Sequence, residues 1–334
     1  PQDLPTMVLL IISFSTLAVG FLARPLGGIV FGHFGDRIGR KRTLVVALMM
    51  MGVATTLIGL LPTYSSIGIA APLMLVTLRF VQGFAIGGQW GGAMLLVTES
   101  APADQRGWYG AYAQAGAPIG VILANLAFIG VSSSMSDEAF MDWGWRLPFI
   151  ASIVLIGISM YIQLKIEDTE AFRSLSDAQT DSDTAPQVVE RSPVIVAIRK
   201  YPKRIMLAAG AFLSVQVTFY ILIAFVIAYG MNSPSIELSR DTMLTAVLIA
   251  AAFMVPTQFY FSGLSDRIGR KSVYRWGAIL TGAWGFALFP LIDTGSPILI
   301  CVAITMGLLF LGMQYGPQAA YFTELFSTEV RYSG

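Results

Sequence analysis

Charged residues are scarce in this sequence. Only 12% of its 334 residues are Asp, Glu, Lys or Arg, whereas 55% are hydrophobic and the mean hydropathy is +0.69. Soluble domains carry about 25% charged residues, so a soluble globular protein is excluded. The single cysteine, Cys301, lies in an apolar segment, which excludes a disulfide framework. The sequence offers no metal-ligand cluster, nucleophile triad or phosphate-binding loop, and we therefore expect neither an enzyme nor a metal or other cofactor.

Long apolar runs take the place of charge. Each is close to the length of roughly 20 residues that a helix needs to cross a hydrocarbon core. Backbone groups in lipid must bond within the chain, which favours helices over open strands. The sequence therefore predicts an all-α polytopic membrane protein with about nine spans, at 7–34, 43–62, 70–98, 108–131, 145–165, 203–231, 241–262, 273–292 and 297–320.

A six-residue sequence occurs twice between apolar runs. Asp-Arg-Ile-Gly-Arg-Lys fills residues 36–41 and again residues 266–271. A second pair of matching segments follows, Thr98-Glu99 and Thr323-Glu324, with the same spacing from each Glu to the next Arg. Repetition at a nearly constant offset indicates a duplicated module. The sequence therefore predicts two helical lobes.

Lys and Arg are concentrated in alternate loops, whereas the opposite loops hold little besides Arg240. The positive-inside rule places the richer loops in the cytoplasm. We expect a multi-pass protein of the plasma membrane, the inner membrane of a bacterium. The basic loops are short and flank the membrane, which argues against nucleic-acid binding. The predicted cytoplasmic loops are 35–42, 99–107, 166–202, 263–272 and 321–334.

The polar stretch 166–202 divides the spans into two groups. Ser174–Gln187 is rich in Ser, Asp and Thr and has no apolar period, which predicts a flexible linker. Ser192–Arg204 has the pattern of a short interfacial helix. The predicted lobes are 1–165 and 203–334.

Several motifs resemble those of one family. Gly32-His33-Phe34-Gly35 precedes the first repeated sequence, and both copies resemble the signature loop of the major facilitator superfamily, with Ser262 in the second copy where the first has Gly32. Finer features resemble its metabolite:H⁺ symporter branch, which includes shikimate, α-ketoglutarate, citrate and proline/betaine carriers. These features are Arg24-Pro25-Leu26-Gly27, Gly87-Gly88-Gln89-Trp90-Gly91-Gly92, Glu167–Phe172 and Phe322–Phe326.

The resemblance implies a two-lobed bundle of twelve helices, of which about nine occur in this sequence and match the second to the tenth. We therefore expect a fragment that lacks the first and the last two helices. The resemblance also implies a monomeric secondary active transporter in a lipid bilayer. Such a protein carries a small polar metabolite, here a carboxylate or a zwitterion, together with protons by alternating access.

Two arginines lie within apolar spans. Arg24 lies about ten residues, or roughly 15 Å, from the cytoplasmic end of its span, where a charge costs about 2.5–3.5 kcal/mol. We interpret it as an anion-binding or gating charge; an ion pair with a helix outside this sequence is the alternative. Arg79 shares one side of its helix with Gln82 and Gln89, and Trp90 is nearby. The resemblance implies a role for Arg79 in proton coupling, and snorkelling to the outer headgroups is the alternative.

Gln89 stands where carriers of this branch often have Glu. Since Gln cannot carry a proton, an uncoupled uniporter or an exchanger of the same fold stays open. A membrane sensor that binds a solute without moving it is a further alternative.

Neutral polar residues recur in pairs at helical spacing. They are candidates for hydrogen bonds to a substrate in a central cavity, or for interhelical contacts worth about 0.6 kcal/mol each. The pairs are Gln114 with Asn125, Gln216 with Tyr220, and Gln314 with Gln318.

The repeated charges are candidates for a cytoplasmic gate, by the same resemblance, and topogenic charge is the alternative. Asp36 and Asp266 can each lie at the N terminus of a helix in the opposite lobe; for Asp266 we expect the helix that starts near Trp108. Sharp turns are expected at Gly39 and Gly269. The predicted ion pairs are Arg40 with Glu99 and Arg270 with Glu324.

Overall fold

The structure, a computed structural model, describes residues 6–38, 40–165, 198–233 and 238–325, with side chains described except at 6–13, 36–38, 40 and 162–164. These ranges contain helices and connecting turns, and no strand. The long helices are α1 (Thr6–Ile38), α2 (Arg40–Leu60), α3 (Ala70–Ser100), α4 (Arg106–Ser133), α5 (Ile153–Lys165), α6 (Pro202–Tyr220), α7 (Arg240–Ile268), α8 (Arg270–Ile292) and α9 (Pro297–Tyr315). Short helical segments lie at Tyr64–Ile67, Asp137–Asp142, Gly144–Arg146, Leu147–Ile150, Ile221–Phe225, Val226–Asn232 and Gln318–Thr323.

Among the residues that the structure describes, nine helical segments are long and apolar enough to cross a membrane, as predicted. Large apolar side chains cover the outside of the helices: Leu22 is 74% exposed, Leu207 75% and Phe286 87%. Such side chains suit a hydrocarbon environment, where backbone groups must be satisfied inside the helices. The chain therefore has the all-α architecture of a polytopic membrane protein.

Local sequence sets both ends of α7. The side chain of Ser239 accepts a hydrogen bond from the amide of Thr242 at 3.2 Å and so caps the N terminus of the helix. Gly269 ends the helix with φ of 92°, a conformation that glycine adopts at little cost. The predicted turn at Gly269 is confirmed, whereas Gly39 lies outside the described residues.

The described helices group into two compact units. Unit 1 holds α1, α2, α3 as far as Leu96, and the chain from Phe128 through α5. Unit 2 holds Val97–Ala127, and therefore most of α4, together with α6 to α9. The sequence assigned α4 to the lobe 1–165, but in this structure α4 as far as Ala127 groups with helices from the second half. The lobes defined by chain order stay a prediction.

Close backbone contact joins α1 and α3 in unit 1. A Cβ at Gly83 would overlap the carbonyl oxygen of Gly20, and a Cβ at Gly87 would overlap that of Arg24. Small residues at such positions allow helices to approach within van der Waals distance of each other's backbone. The glycine stripe of α3 therefore fixes the register of the two helices that carry the arginines.

Unit 2 has an apolar core between α6, α7, α8 and α9. Leu222, Met243, Met254, Ile304 and Leu308 are each at most 2% exposed. Ala117 and Val121 of α4 pack against this core.

Candidate functional site

Arg24 lies within the apolar part of α1, inside the segment Phe14–Gly35. At 1.5 Å per residue it lies roughly 15 Å from the cytoplasmic end of that segment. Its guanidinium carbon is 4.2 Å from the centroid of the Phe21 ring, which is a cation–π distance. The aromatic face lowers the cost of the charge inside the span.

Arg79 begins a chain of hydrogen bonds from α3 to α2. Its Nη1 donates to Oε1 of Gln82 at 3.2 Å, and Nε2 of Gln82 donates to the hydroxyl of Thr55 at 2.7 Å. The hydroxyl of Thr55 donates in turn to the carbonyl of Met51 at 2.7 Å. Gln82 is buried, so the expected grouping of Arg79 with Gln82 is present. Sequence reasoning missed Thr55, whose polar role only the packing of α2 on α3 reveals.

No carboxylate within the described ranges forms an ion pair with Arg79, and its Nε is buried there without a hydrogen-bond partner. The sequence also has no Asp or Glu from Arg37 to Thr98. The charge of Arg79 therefore has no fixed counter-charge on α2 or α3. Its remaining N–H groups are suited to a mobile anion, because a guanidinium offers a fork that matches a carboxylate.

The packing of α1 on α3 brings the two arginines to neighbouring levels. A Cβ at Gly20 would lie 3.3 Å from the carbonyl oxygen of Arg79, while Gly87 meets the backbone of Arg24. Gly20 and Arg24 are one helical turn apart, or about 6 Å along the axis. The structure thus places the two arginines on adjacent, closely packed helices.

Gln89 and Trp90 lie beyond Gly87 on α3 and are half-buried. Neither Arg79 nor Gln82 forms a described hydrogen bond with Gln89. Of the four residues grouped from the sequence, Arg79 and Gln82 are therefore hydrogen-bonded to each other, whereas Gln89 and Trp90 lie further along the helix.

The amide of Gln114 joins α4 to the end of α9 in unit 2. Its Nε2 donates to the carbonyl of Tyr315 at 2.7 Å and lies 3.3 Å from Oε1 of Gln318. Both glutamines are at most 1% exposed. Asn125, the expected companion of Gln114, is half-buried three turns further along α4.

Gln314 and Gln318 bond to different helices. Gln314 donates to the hydroxyl of Thr281 on α8 at 3.0 Å, whereas Oε1 of Gln318 lies 3.3 Å from the amide of Gln114 on α4. The helical hydrogen bonding is interrupted between them: α9 ends at Tyr315 and a short helix starts at Gln318. Pro317 has no amide hydrogen with which to continue the helical bonding. The common face of the two glutamines stays a prediction.

Gln216 and Tyr220 lie one turn apart on α6 and are half-buried. Tyr220 contacts the ring of Phe219 edge to face at 5.7 Å and packs against the apolar core of unit 2. Part of its surface therefore serves packing, while Gln216 is only partly covered.

The carboxylate of Asp266 caps the N terminus of α4. The amides of Gly107 and Trp108 donate to Oδ1 and Oδ2 of Asp266, each at 2.9 Å. Arg270 pairs with Asp266 at 2.5 Å and with Glu324 at 3.3 Å. The positive end of a helix dipole favours such an anion. The contacts expected of Asp266 and of Arg270 with Glu324 are present, and their role as a gate stays a prediction.

The first copy of the repeated sequence lies outside this description. The side chains of Asp36 and Arg40 are not among the described ones, and so the predicted pair of Arg40 with Glu99 lies outside the described residues. Glu99 itself is half-buried near the end of α3.

Sequence reasoning also missed Gln258, a fully buried glutamine of α7. Ser262 lies one turn further along and is fully buried too; the sequence had marked it only as a variant position of the repeat. A search for every amide within the predicted spans would have found Gln258.

Comparisons with known proteins agree on one family. The profile of the Major Facilitator Superfamily matches residues 6–334. The shikimate transporter of Escherichia coli strain K12 is 38% identical over 335 residues, which cover 100% of this chain and 74% of that protein. The inner membrane metabolite transport protein YhjE of the same strain is 40% identical over 340 residues, with coverages of 100% and 74%. The proline/betaine transporter of Salmonella typhimurium strain LT2 is 31% identical over 332 residues, with coverages of 98% and 65%.

A solved structure supports the fold. The proton:xylose symporter XylE bound to 6-bromo-6-deoxy-D-glucose superposes with a TM-score of 0.74 at 15% identity, over 100% of this chain and 76% of that one. The relatives are transporters and not enzymes. With nine membrane-length helices in the part of the chain that the structure describes and an inner-membrane relative, the chain is a multi-pass protein of the plasma membrane.

Proposed function

Since the chain belongs to the major facilitator superfamily, we propose that it forms the substrate path of a secondary active transporter that imports a small carboxylate-bearing metabolite together with protons. The observation that carries the proposal is Arg79, a guanidinium within a membrane span whose only described hydrogen bond goes to Gln82. Hydrogen bonds between an ionised guanidinium and a carboxylate are short and directional.

Three points support a carboxylate as the ligand. Arg24 is a second cationic residue within an apolar span, on the helix whose backbone packs directly against α3. The membrane-spanning parts of α2 and α3 contain no acid that would compete for the arginines. Shikimate, proline and betaine, named in the descriptions of the relatives, all carry a carboxylate.

The contact between Asp266 and α4 suits a carrier that works by alternating access. Two amide hydrogen bonds and the pair with Arg270 hold the N terminus of α4 against α7. Few interactions are involved, so a small free-energy change is enough to shift the contact between a closed and an open arrangement. We assign Asp266, Arg270 and Glu324 to this gate, and Asp36, Arg40 and Glu99 to the corresponding contact of the first copy.

Proton coupling is part of the proposal because this chain resembles the metabolite:H⁺ symporter branch. One observation favours a second candidate, an exchanger of the same fold: Gln89 carries no proton, and no carboxylate lies mid-span in the described helices. The two candidates differ in what drives uptake.

Uptake by the full-length protein in proteoliposomes tests the proposal. We expect labelled shikimate or glycine betaine to accumulate under an inward proton gradient, and the accumulation to disappear when a protonophore is added. Counterflow that continues unchanged with the protonophore, without net accumulation, would identify the exchanger. Binding of either compound without any flux would identify a sensor and contradict both.

A further inference from the structure

Three buried polar residues of unit 2 have side-chain atoms without a hydrogen-bond partner among the described residues. Gln258, Ser262 and Gln318, here named the polar junction, are each 0% exposed. Both amide atoms of Gln258, the hydroxyl of Ser262 and Nε2 of Gln318 have no hydrogen-bond partner among the described residues. A buried donor or acceptor without a partner bears its full desolvation penalty, so a group of them in a native fold calls for an occupant.

The polar junction lies where three helices meet. Gln258 and Ser262 are one turn apart on the same face of α7. A Cβ at Gly316, just after α9, would lie 2.6 Å from the hydroxyl of Ser262. Gln318 is 3.3 Å from the amide of Gln114 on α4. A Cβ at Gly107, in the first turn of α4, would lie 2.7 Å from the carbonyl of Ser262.

The hydroxyls of two other buried serines are satisfied, so the fold does not leave such groups unpaired by default. Ser265 donates its hydroxyl to the carbonyl of Ser262 at 2.6 Å, and Ser159 donates to that of Leu155 at 2.7 Å. Ser262 has the same option on its own helix and does not use it. Its hydroxyl therefore stays without a hydrogen-bond partner among the described residues.

The unpaired atoms define the chemistry of the occupant. Nε2 of Gln318 and of Gln258 are donors, Oε1 of Gln258 is an acceptor, and a serine hydroxyl is both. Water both donates and accepts, and buried waters make about three hydrogen bonds to such groups. Water therefore matches the set better than an ion of either sign.

We propose that the polar junction binds water while α4 is seated against α7, and that the same three side chains line the cytoplasmic exit for the substrate once α4 moves away. The second half rests on the alternating access of the proposed function. The contacts that seat α4, Asp266 with Gly107 and Trp108, lie next to Ser262. Releasing them uncovers the junction.

Cysteine labelling tests the exit lining. In full-length protein with Cys301→Ser, Ser262→Cys is exposed from the cytoplasmic side to a charged methanethiosulfonate reagent. We expect protection in this background and labelling about tenfold faster when Asp266→Asn is added, which corresponds to about 1.4 kcal/mol of lost seating. Ser159→Cys, equally buried but in unit 1, is the control and stays protected in both backgrounds. Protection of Ser262→Cys in both backgrounds, or equal labelling of Ser159→Cys, overturns the lining. If Ser262→Cys does not fold, Gln318→Cys gives the same measurement.

Thermal unfolding tests the water. Gln258→Leu removes the largest unpaired group. If the junction holds water, the variant loses water-mediated bonds and its Tm falls by about 2 °C. If the junction holds no water, the substitution removes a buried polar group that has no partner, and the Tm stays the same or rises. That result would contradict the proposed water site. Gln314→Leu, which breaks a direct bond to Thr281, lowers the Tm in either case and shows that the assay responds. Neither test measures uptake, so its failure is distinct from failure of the proposed symport.

Discussion

The membrane-spanning parts of the two units differ in how their polar groups are satisfied. Unit 1 carries positive charge at depth, on Arg24 and Arg79, and one described bond from Arg79 leads to a neutral glutamine. Unit 2 carries neutral amides instead, and Gln114 and Gln314 bond within the protein. Arg79 has no ion pair among the described residues and so can attract an anion, whereas a pair of amides is complete without one. The difference supports our proposal that unit 1 recognises the charge of the substrate.

The use of neutral hydrogen bonds in unit 2 also affects how easily the contact of α4 with α7 and α9 can open and close. The contact of α4 with α7 and α9 consists of neutral hydrogen bonds deep in unit 2 and an ionic cluster at its end, Asp266 with Arg270 and Glu324. Neutral bonds can be exchanged for bonds to water at little net cost. A deep ion pair would resist that exchange, because separation leaves two charges in a medium of low polarity. Unit 2 is therefore the better place for a contact that opens and closes.

The largest expected effect comes from removing the charge in unit 1. Arg79→Gln keeps hydrogen-bonding capacity and deletes the charge, so we expect kcat/KM for uptake of a carboxylate to fall about 100-fold, as the loss of about 3 kcal/mol from charge-assisted bonds implies. The control is Arg275→Gln, an exposed arginine of α8, for which we expect kcat/KM within about twofold of the parent. Equal losses for the two variants would remove the distinction between the units.

A second expected difference concerns packing. Gly83→Ala places a Cβ on the backbone carbonyl of Gly20, so α1 and α3 must separate. Gly307→Ala meets the methyl groups of Leu222, the nearer at 2.8 Å, and these can rotate away. We expect Gly83→Ala to lower stability by about 1–3 kcal/mol and Gly307→Ala to cost clearly less, measured as shifts in Tm. Gly116→Ala, with open space around the new methyl, calibrates the assay. A larger loss for Gly307→Ala would contradict the rigid contact in unit 1.

Features of the fold and the site that depend on neighbouring residues in the sequence, or on a repeated motif, could be predicted, whereas most contacts between residues far apart in the sequence could not. The nine spans, the turn at Gly269 and the partners of Asp266 follow from hydropathy, a glycine and a repeated motif. Periodicity did not predict that Gln314 and Gln318 bond to different helices, because those partners lie far away in the sequence. Thr55 and Gln258 were missed, since a partner on another helix, or the lack of one, depends on tertiary packing.

A third test addresses the contact at the end of unit 2. Asp266→Asn removes the charge that binds the N terminus of α4 and leaves a neutral acceptor, which binds amides about half as strongly. We expect the amides of Gly107 and Trp108 to exchange hydrogen about tenfold faster, measured by mass spectrometry. Asp241→Asn, in the exposed first turn of α7, is the control, and exchange in α4 should not change. Unaltered exchange in Asp266→Asn would show that the neutral bonds alone hold α4.

The smallest expected effect is a difference in carboxylate uptake between variants of two adjacent threonines of α2. The hydroxyl of Thr55 receives a hydrogen bond from Gln82 and so supports the side chain that positions Arg79, whereas the hydroxyl of Thr56 only donates to its own backbone, to Gly52 at 2.8 Å. Valine has nearly the shape of threonine and no hydroxyl, so Thr55→Val leaves the buried amide of Gln82 without its acceptor. We expect carboxylate uptake to fall about fivefold in Thr55→Val, as a loss of about 1 kcal/mol implies, and Thr56→Val to behave like the parent. Because the two residues are neighbours on one helix, a loss that appears equally in both variants would mean that α2 responds to the hydroxyl itself. The hydrogen bonds that link Thr55 through Gln82 to Arg79 would then not be needed to position the Arg79 guanidinium.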